Sequence, residues 1–195
     1  VDCNALVEEV ARLAEADARI LDIVIEVETE KGLPAVNVDI VQIQQVALNL
    51  LRNGMEAMRS VADTANNVIK LRTELLGNGD IKVAVVDGGS GVSDAVEKIL
   101  FTPFSTTKES GMGMGLSISR AIITAHGGHL DFYNNNANGA TFFYAAGRGT
   151  RGRTWLNRIL CSSLMMTKAF AMVSRCCSIL LISATNCTAR QLISC

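Results

Sequence analysis

The chain has 195 residues, 49% hydrophobic and 19% charged, which suits one ordinary domain with a packed core. Its net charge of −1 hides a split: residues 1–143 hold all 19 acids against eleven Lys and Arg, a net −8, while residues 144–195 hold the other seven basic residues and no acid. The acidic, amphipathic start "VDCNALVEEVARLAEAD" excludes a signal peptide, and the late run "ILLI" is far too short to span a membrane.

In chain order, residues 4–20 read as a helix, with Leu6, Val10, Leu13 and Ala14 at helical spacing and Asn4 as the cap. "LDIVIEVE" alternates and is rich in branched residues, which predicts a strand, and "KGLPAVNVD" a loop. A long helix follows from Asp39, its N-cap, with apolar positions 43, 46, 47, 50, 51 and 55. "NVIKLRTELL" and "DIKVAVVD" are strands joined by the hairpin signal "GNGD". "SDAVEKIL" is a short helix capped by Ser93; "FTPFSTTKESGMGMG" is a loop; "LSISRAIITAHGG" is a helix ended by Gly127. "HLDFYNNN" and "GATFFYAA" are two strands joined by an Asn/Gly turn. Strands that arrive as hairpins cannot build an all-parallel sheet, so the pattern predicts a mixed sheet with helices on one face, a two-layer α/β sandwich.

Three clusters carry chemistry. Asn49 and Asn53 are four apart on a helix, so both amides project from one face. Paired carboxamide oxygens suit a hard cation that shares phosphate ligands, although a solvated polar stripe has the same spacing. Asp87 ends a strand and opens "DGGSG", where an acceptor can bond an exocyclic amine while glycine backbone passes a flat ring; an ordinary Asp-Gly turn reads the same way. Gly111, Gly113 and Gly115 can turn backbone N–H groups towards an anion, the helix starting near Gly115 adds its dipole, and Lys108 can reach phosphates. A dinucleotide-binding loop needs a strand directly before the glycines, and here a Thr/Ser/Lys loop stands there.

Together, "QQVALNLLRNGMEAM", "DGGSGV", "FTPFSTTKESGMGMGLSISRAIITAHGG" and "GATFF" resemble, in order, the nucleotide-binding motifs of the ATP-binding domain of sensor histidine kinases. The resemblance covers about residues 1–146, and its wording is nearest the nitrogen-regulation and oxygen-sensing nitrogen-fixation kinases. It implies the Bergerat-type α/β sandwich shared with gyrase, MutL and the Hsp90 chaperones, with ATP and Mg2+ as cofactors. By that similarity Asn53 would hold magnesium and Asn49 would act at the phosphates. Asp87 would take the adenine amine; Gly89 and Gly91 would line its pocket and Thr141 support it. Phe101 and Phe104 would anchor a lid, and Lys108, Gly111, Gly113, Gly115 and Leu116 would close over the phosphates. Gly54 stands where alanine is usual and costs about 1 kcal/mol of helix propensity; Gly89 stands where Asn or Thr is common.

The resemblance also implies partners: a histidine-bearing dimerisation hairpin that accepts the phosphoryl group, and a downstream response regulator. No nucleic-acid or membrane contact is expected, and the location is expected to be cytoplasmic and reducing. The chain's own histidines, His126 and His129, lie at the "HGGH" corner and read as structural. The expected function is therefore an Mg-ATP-dependent phosphotransferase domain that does not autophosphorylate alone. The alternatives are a nucleotide-dependent binding module without transfer, and a chaperone- or MutL-like ATPase, against which "TTKESGMGMGLS" argues.

Residues 147–195 form a basic tail that contains Cys161, Cys176, Cys177, Cys187 and Cys195 without paired zinc spacing, whereas Cys3 stands alone in front. The tail reads either as a disordered basic tail with an adventitious apolar patch or, more sharply, as out of frame from near residue 143. Shifting by one base lets "Tyr-Ala-Ala-Gly" encode Thr- or Met-Leu-Pro-Ala, the ending expected after "GATFF". Shifting by two from Thr154 permits a sequence that resembles the start of a receiver domain. Most of its codons are chosen within the degeneracy, but Met165-Met166 and Met166-Thr167 must both yield Asp.

Overall fold

Branched and aliphatic residues at alternate positions make five strands, and every one pairs in register. In the computed structural model, which describes residues 1–59, 67–105, 113–136 and 138–146, the order is α1 (Cys3–Ile20), β1 (Val24–Thr29), α2 (Ile40–Arg59), β2 (Val68–Leu75), β3 (Ile81–Val86), α3 (Asp94–Glu97), α4 (Gly115–Ala125), β4 (His129–Asn134) and β5 (Ala140–Ala146). Spatially the strands run β1-β2-β3-β5-β4. β1 lies parallel to β2, reached through α2, and the other pairs are antiparallel. The predicted mixed sheet with helices packed on it is what forms.

Alternation assigns the two faces. Ile69, Leu71, Val83, Val85, Phe142 and Tyr144 are buried under the helices. On the other face Glu26 and Glu28 of β1 pair with Lys70, and Glu28 also with Arg72 of β2. These are exposed pairs, worth little individually, but they match β1 to its one neighbour.

α2 is the central helix. Ile43, Val46, Ala47, Leu50, Leu51, Met55 and Met58 recur at three- and four-residue steps and are all buried. α1 presents Leu6, Val7, Val10, Ala14 and Ala18 instead. Leu13 lies at the edge of that stripe and stays 53% exposed, so it is not the core residue its spacing suggested. The cap of α1 also differs from expectation. Asp2 caps it, accepting from the N–H groups of Asn4 and Ala5. The Asn4 amide is used between elements, donating to the Glu30 carbonyl at 2.8 Å and accepting from the Thr73 hydroxyl at 2.7 Å. Ser93 precedes α3 as predicted but makes no side-chain capping bond.

Asp39 caps α2 through a bond from Gln42 N–H, and its own N–H donates to His126 Nε2 at 3.1 Å. His126 Nδ1 lies 2.8 Å from the Ile122 carbonyl, so the ring is a neutral tautomer that donates there. One imidazole thus joins the start of α2 to the end of α4. His129 is exposed and meets Phe143 edge-on.

Tyr144 is 1% exposed, and its hydroxyl lacks a hydrogen-bond partner among the described residues. Burial pushes its ionisation far above the usual range, and the nearby Cys3 thiol adds to this. Tyr144→Phe is expected to raise unfolding free energy by about 1 kcal/mol, because a desolvated donor disappears with little volume. The raised folded-state pKa means that the contribution of neutral Tyr144 is intact below the ordinary tyrosine pKa of about 10 and lost as pH climbs beyond it. Urea unfolding at pH 7 and above pH ~10 should therefore show the gap between the two proteins widening at the higher pH.

Candidate functional site

Asn49 and Asn53 lie one turn apart on the partly buried flank of α2. Asn49 Nδ2 donates to Ser119 Oγ on α4 at 3.0 Å. A Cβ on Gly115 would sit 2.5 Å from Asn49 Oδ1, so the bare first residue of α4 presses against the amide. Met114, before it, makes no side-chain cap. The first-turn N–H groups of α4 therefore begin beside Asn49, with the positive end of the helix dipole. Leu116 is partly buried and packs against the core.

Asp87, directly after β3, is 4% exposed. Its Oδ1 accepts from Gly89 N–H at 2.9 Å and Ala140 N–H at 3.1 Å. Burial raises the carboxyl pKa, and the two backbone N–H bonds oppose that rise. With Oδ1 doubly bonded, Oδ2 is the oxygen left for a ligand. It faces Gly54 of α2, where a Cβ would lie 3.7 Å from it and 2.6 Å from Ile69 Cδ1. Ile69 fills the volume that an alanine methyl would take, which is how this chain accommodates a glycine in mid-helix.

The loop after Asp87 is pinned on both sides. A Cβ on Gly89 would meet the Ala57 backbone of α2 at 2.7 Å, so the missing side chain permits that approach. Past Gly91, Val92 N–H donates to Asn134 Oδ1 at 2.8 Å and Asn134 Nδ2 returns a bond to Val92 O at 2.7 Å. Asn135 Nδ2 donates to the Asp87 carbonyl at 3.0 Å, and its Oδ1 accepts from the Thr141 hydroxyl at 2.6 Å. Thr141 is buried and reaches Asp87 through Asn135, not directly.

The two phenylalanines diverge. Phe101 packs on the core with Phe132 at a ring separation of 6.4 Å, under the Arg120 guanidinium at 4.6 Å. Phe104, the other expected lid anchor, is 70% exposed with φ of 65°. Its strained backbone turns the chain towards Gly113. A Cβ on Gly113, itself at φ 65°, would lie 2.7 Å from both the Phe104 carbonyl carbon and the Ser105 oxygen. Lys108 and Gly111 fall outside the described residues.

Along one side of α2, then, a buried acceptor lies near Gly54, and a bare helix N-terminus lies near Asn49. Asn49 and Gly54 are separated by about 7.5 Å of helix rise. A ligand that fits carries a ring with an exocyclic donor at one end and an anion at the other. Sequence reading missed Ser119, Asn134, Asn135 and the Ala140 N–H. The run "NNNANG" signalled only a turn.

Residues 38–154, more than half of the chain, match the family described as histidine kinase-, DNA gyrase B- and HSP90-like ATPases. The chain belongs to that family. The sensor protein FixL of Bradyrhizobium diazoefficiens is 43% identical over 139 residues, 71% of this chain and 27% of that protein. TdiS of Thauera aromatica is 34% identical over 140 residues, 71% of this chain and 25% of that protein. The chain thus spans about a quarter of the length of these relatives. The catalytic domain of the histidine kinase ThkA superposes with a TM-score of 0.65 at 30% identity, covering 76% of this chain and 93% of that one. Full-length ShkA in complex with AMPPNP gives 0.67 at 25% identity over 78% of this chain and 31% of that one. The ATPase fold here is thus the ATP-binding catalytic domain of sensor histidine kinases. Among the described residues no helix is long and apolar enough to cross a membrane.

Proposed function

We propose that residues 1–146 bind Mg-ATP and deliver its γ-phosphoryl group to a histidine on a separate dimerisation hairpin, in a cytoplasmic two-component relay with a response regulator downstream. The observation that carries this is the pairing, along one side of α2, of the Asp87 acceptor with the uncapped start of α4. Asp87 Oδ2 accepts the adenine amine, and Gly89 and Gly91 line the base. Asn49, Gly113 and Gly115 face the phosphates, with Lys108 and Gly111 from the lid. Phosphoryl transfer is largely positioning and charge stabilisation, which this frame suits.

The residues fit magnesium. The described residues contain no cluster of three His, Cys, Asp or Glu, and an ion that keeps its waters and shares phosphate oxygens needs only one or two protein oxygens. Asn53 would hold it, and bound there it would neutralise phosphate charge. Asn53→Ala is expected to weaken Mg-ATP binding about tenfold while leaving metal-free ATP binding unchanged, read by titration with and without a chelator. Equal affinities in both proteins under both conditions would count against the assignment.

His126 supports a second reading, a nucleotide-dependent binding module without transfer. Its ring is committed to the α2–α4 joint, and His129 is the only other histidine in the chain. Supplying a separate acceptor hairpin with γ-labelled ATP and magnesium separates the readings. Label on the hairpin is the expected result. Nucleotide bound without label transfer selects the module, and no nucleotide binding overturns both. For residues 147–195 we retain the out-of-frame reading. Sequencing the encoding DNA tests it: a one-base change near codon 143 should restore both frames.

A further inference from the structure

We infer that Ser119 is a positioning residue for Asn49, fixing which end of its carboxamide faces the phosphate end of the site; this rests on the reading of Asn49 given above. Gly115 and Ser119 are one helical turn apart, so they share a face of α4. Together they make a notch for one amide. Gly115, lacking a Cβ, admits Asn49 Oδ1, and Ser119 Oγ takes a bond from Nδ2 at 3.0 Å. An amide is held in one orientation only when its two ends meet different partners. Here one end meets a hydroxyl oxygen and the other the bare Cα of Gly115.

Ser119 is 2% exposed, so water does not replace its hydroxyl when that hydroxyl is lost. Its bond leaves Nδ2 a second N–H, which is the one Asn49 can offer to an anion. The helices have a second joint, from Asp39 N–H to His126, near the other end of α4. That joint can hold α4 in place when the Ser119 bond is missing. Removing the Ser119 hydroxyl should therefore release the amide without releasing the helix.

The test uses the full chain with a separate acceptor hairpin. Ser119→Ala is expected to slow transfer at saturating ATP about tenfold and to change nucleotide affinity less than about twofold. In an Asn49→Ala background the same change should add nothing, because Ser119 acts through that amide. An equal loss in both backgrounds, or no loss in either, overturns the inference. The Asn49 side-chain amide resonance, recorded without nucleotide, gives a second reading. It should shift in Ser119→Ala, and an unmoved resonance also overturns the inference. If the unsubstituted chain transfers nothing, the functional reading fails, while the resonance still decides whether Ser119 holds Asn49.

Discussion

Asp87→Asn is expected to weaken ATP binding by about a hundredfold without unfolding the domain. Two backbone N–H groups, of Gly89 and Ala140, claim one oxygen of the side chain. An asparagine must satisfy them with its single oxygen, which turns its NH2 to the place of Oδ2. A donor then faces the exocyclic amine of adenine, itself a donor. The substitution is nearly isosteric and removes a buried charge. The folded-state pKa of Asp87 is raised, so the stabilising contribution of its neutral form is present at low pH and lost as pH rises through that raised value. At neutral pH the ionised group therefore weighs against the fold, and the Asn variant should melt no lower than the native chain. ATP titration and thermal unfolding together check this; a variant that binds normally would remove Asp87 from the site. The same protonation argument gives a pH profile. With Oδ1 occupied by two donors, a proton on Asp87 must sit on Oδ2, so ATP affinity should fall as the carboxyl is protonated.

Gly139→Ala should give the largest loss of stability, about 3 kcal/mol or more. Gly139 sits at φ 84°, where an L side chain is strained. A Cβ there would overlap the Asp87 carbonyl oxygen and lie 2.7 Å from its carbon and 2.8 Å from Oδ1. The obstacle is backbone in the sheet, where Asp87 N–H bonds the Ala140 carbonyl at 3.0 Å, and it cannot swing aside as a side chain would. Urea unfolding should show the midpoint falling with little change in slope. An unchanged midpoint would mean that the turn relaxes at no expense. Because Gly139 adjoins Asp87, the surviving folded fraction should also bind ATP more weakly.

Much of this molecule was legible in its residues. The apolar stripe of α2 and the hairpin signals gave the layers, since periodicity reports directly which face is buried. The placement of Asp87 at a strand end and of Gly115 at a helix start was legible too, because both are local patterns. What escaped was contact between distant elements. Ser119 meets Asn49 across 70 positions, and Asn135 meets Asp87 across 48. Asn4 looked like a cap because Asn often is one, yet Asp2 was two residues upstream and left the Asn4 amide free to bond Glu30 and Thr73. The left-handed backbone of Phe104 also had no signal, since a positive φ at a phenylalanine follows from the surrounding chain and not from the residue.

The contact between Gly113 and the Phe104–Ser105 backbone is main chain against main chain, two residues before Gly115, which presses on Asn49. A methyl group at 113 would act as a wedge in that seam, because the atoms it meets are backbone and cannot rotate away. The place where α4 begins thus depends on an atom that residue 113 does not have.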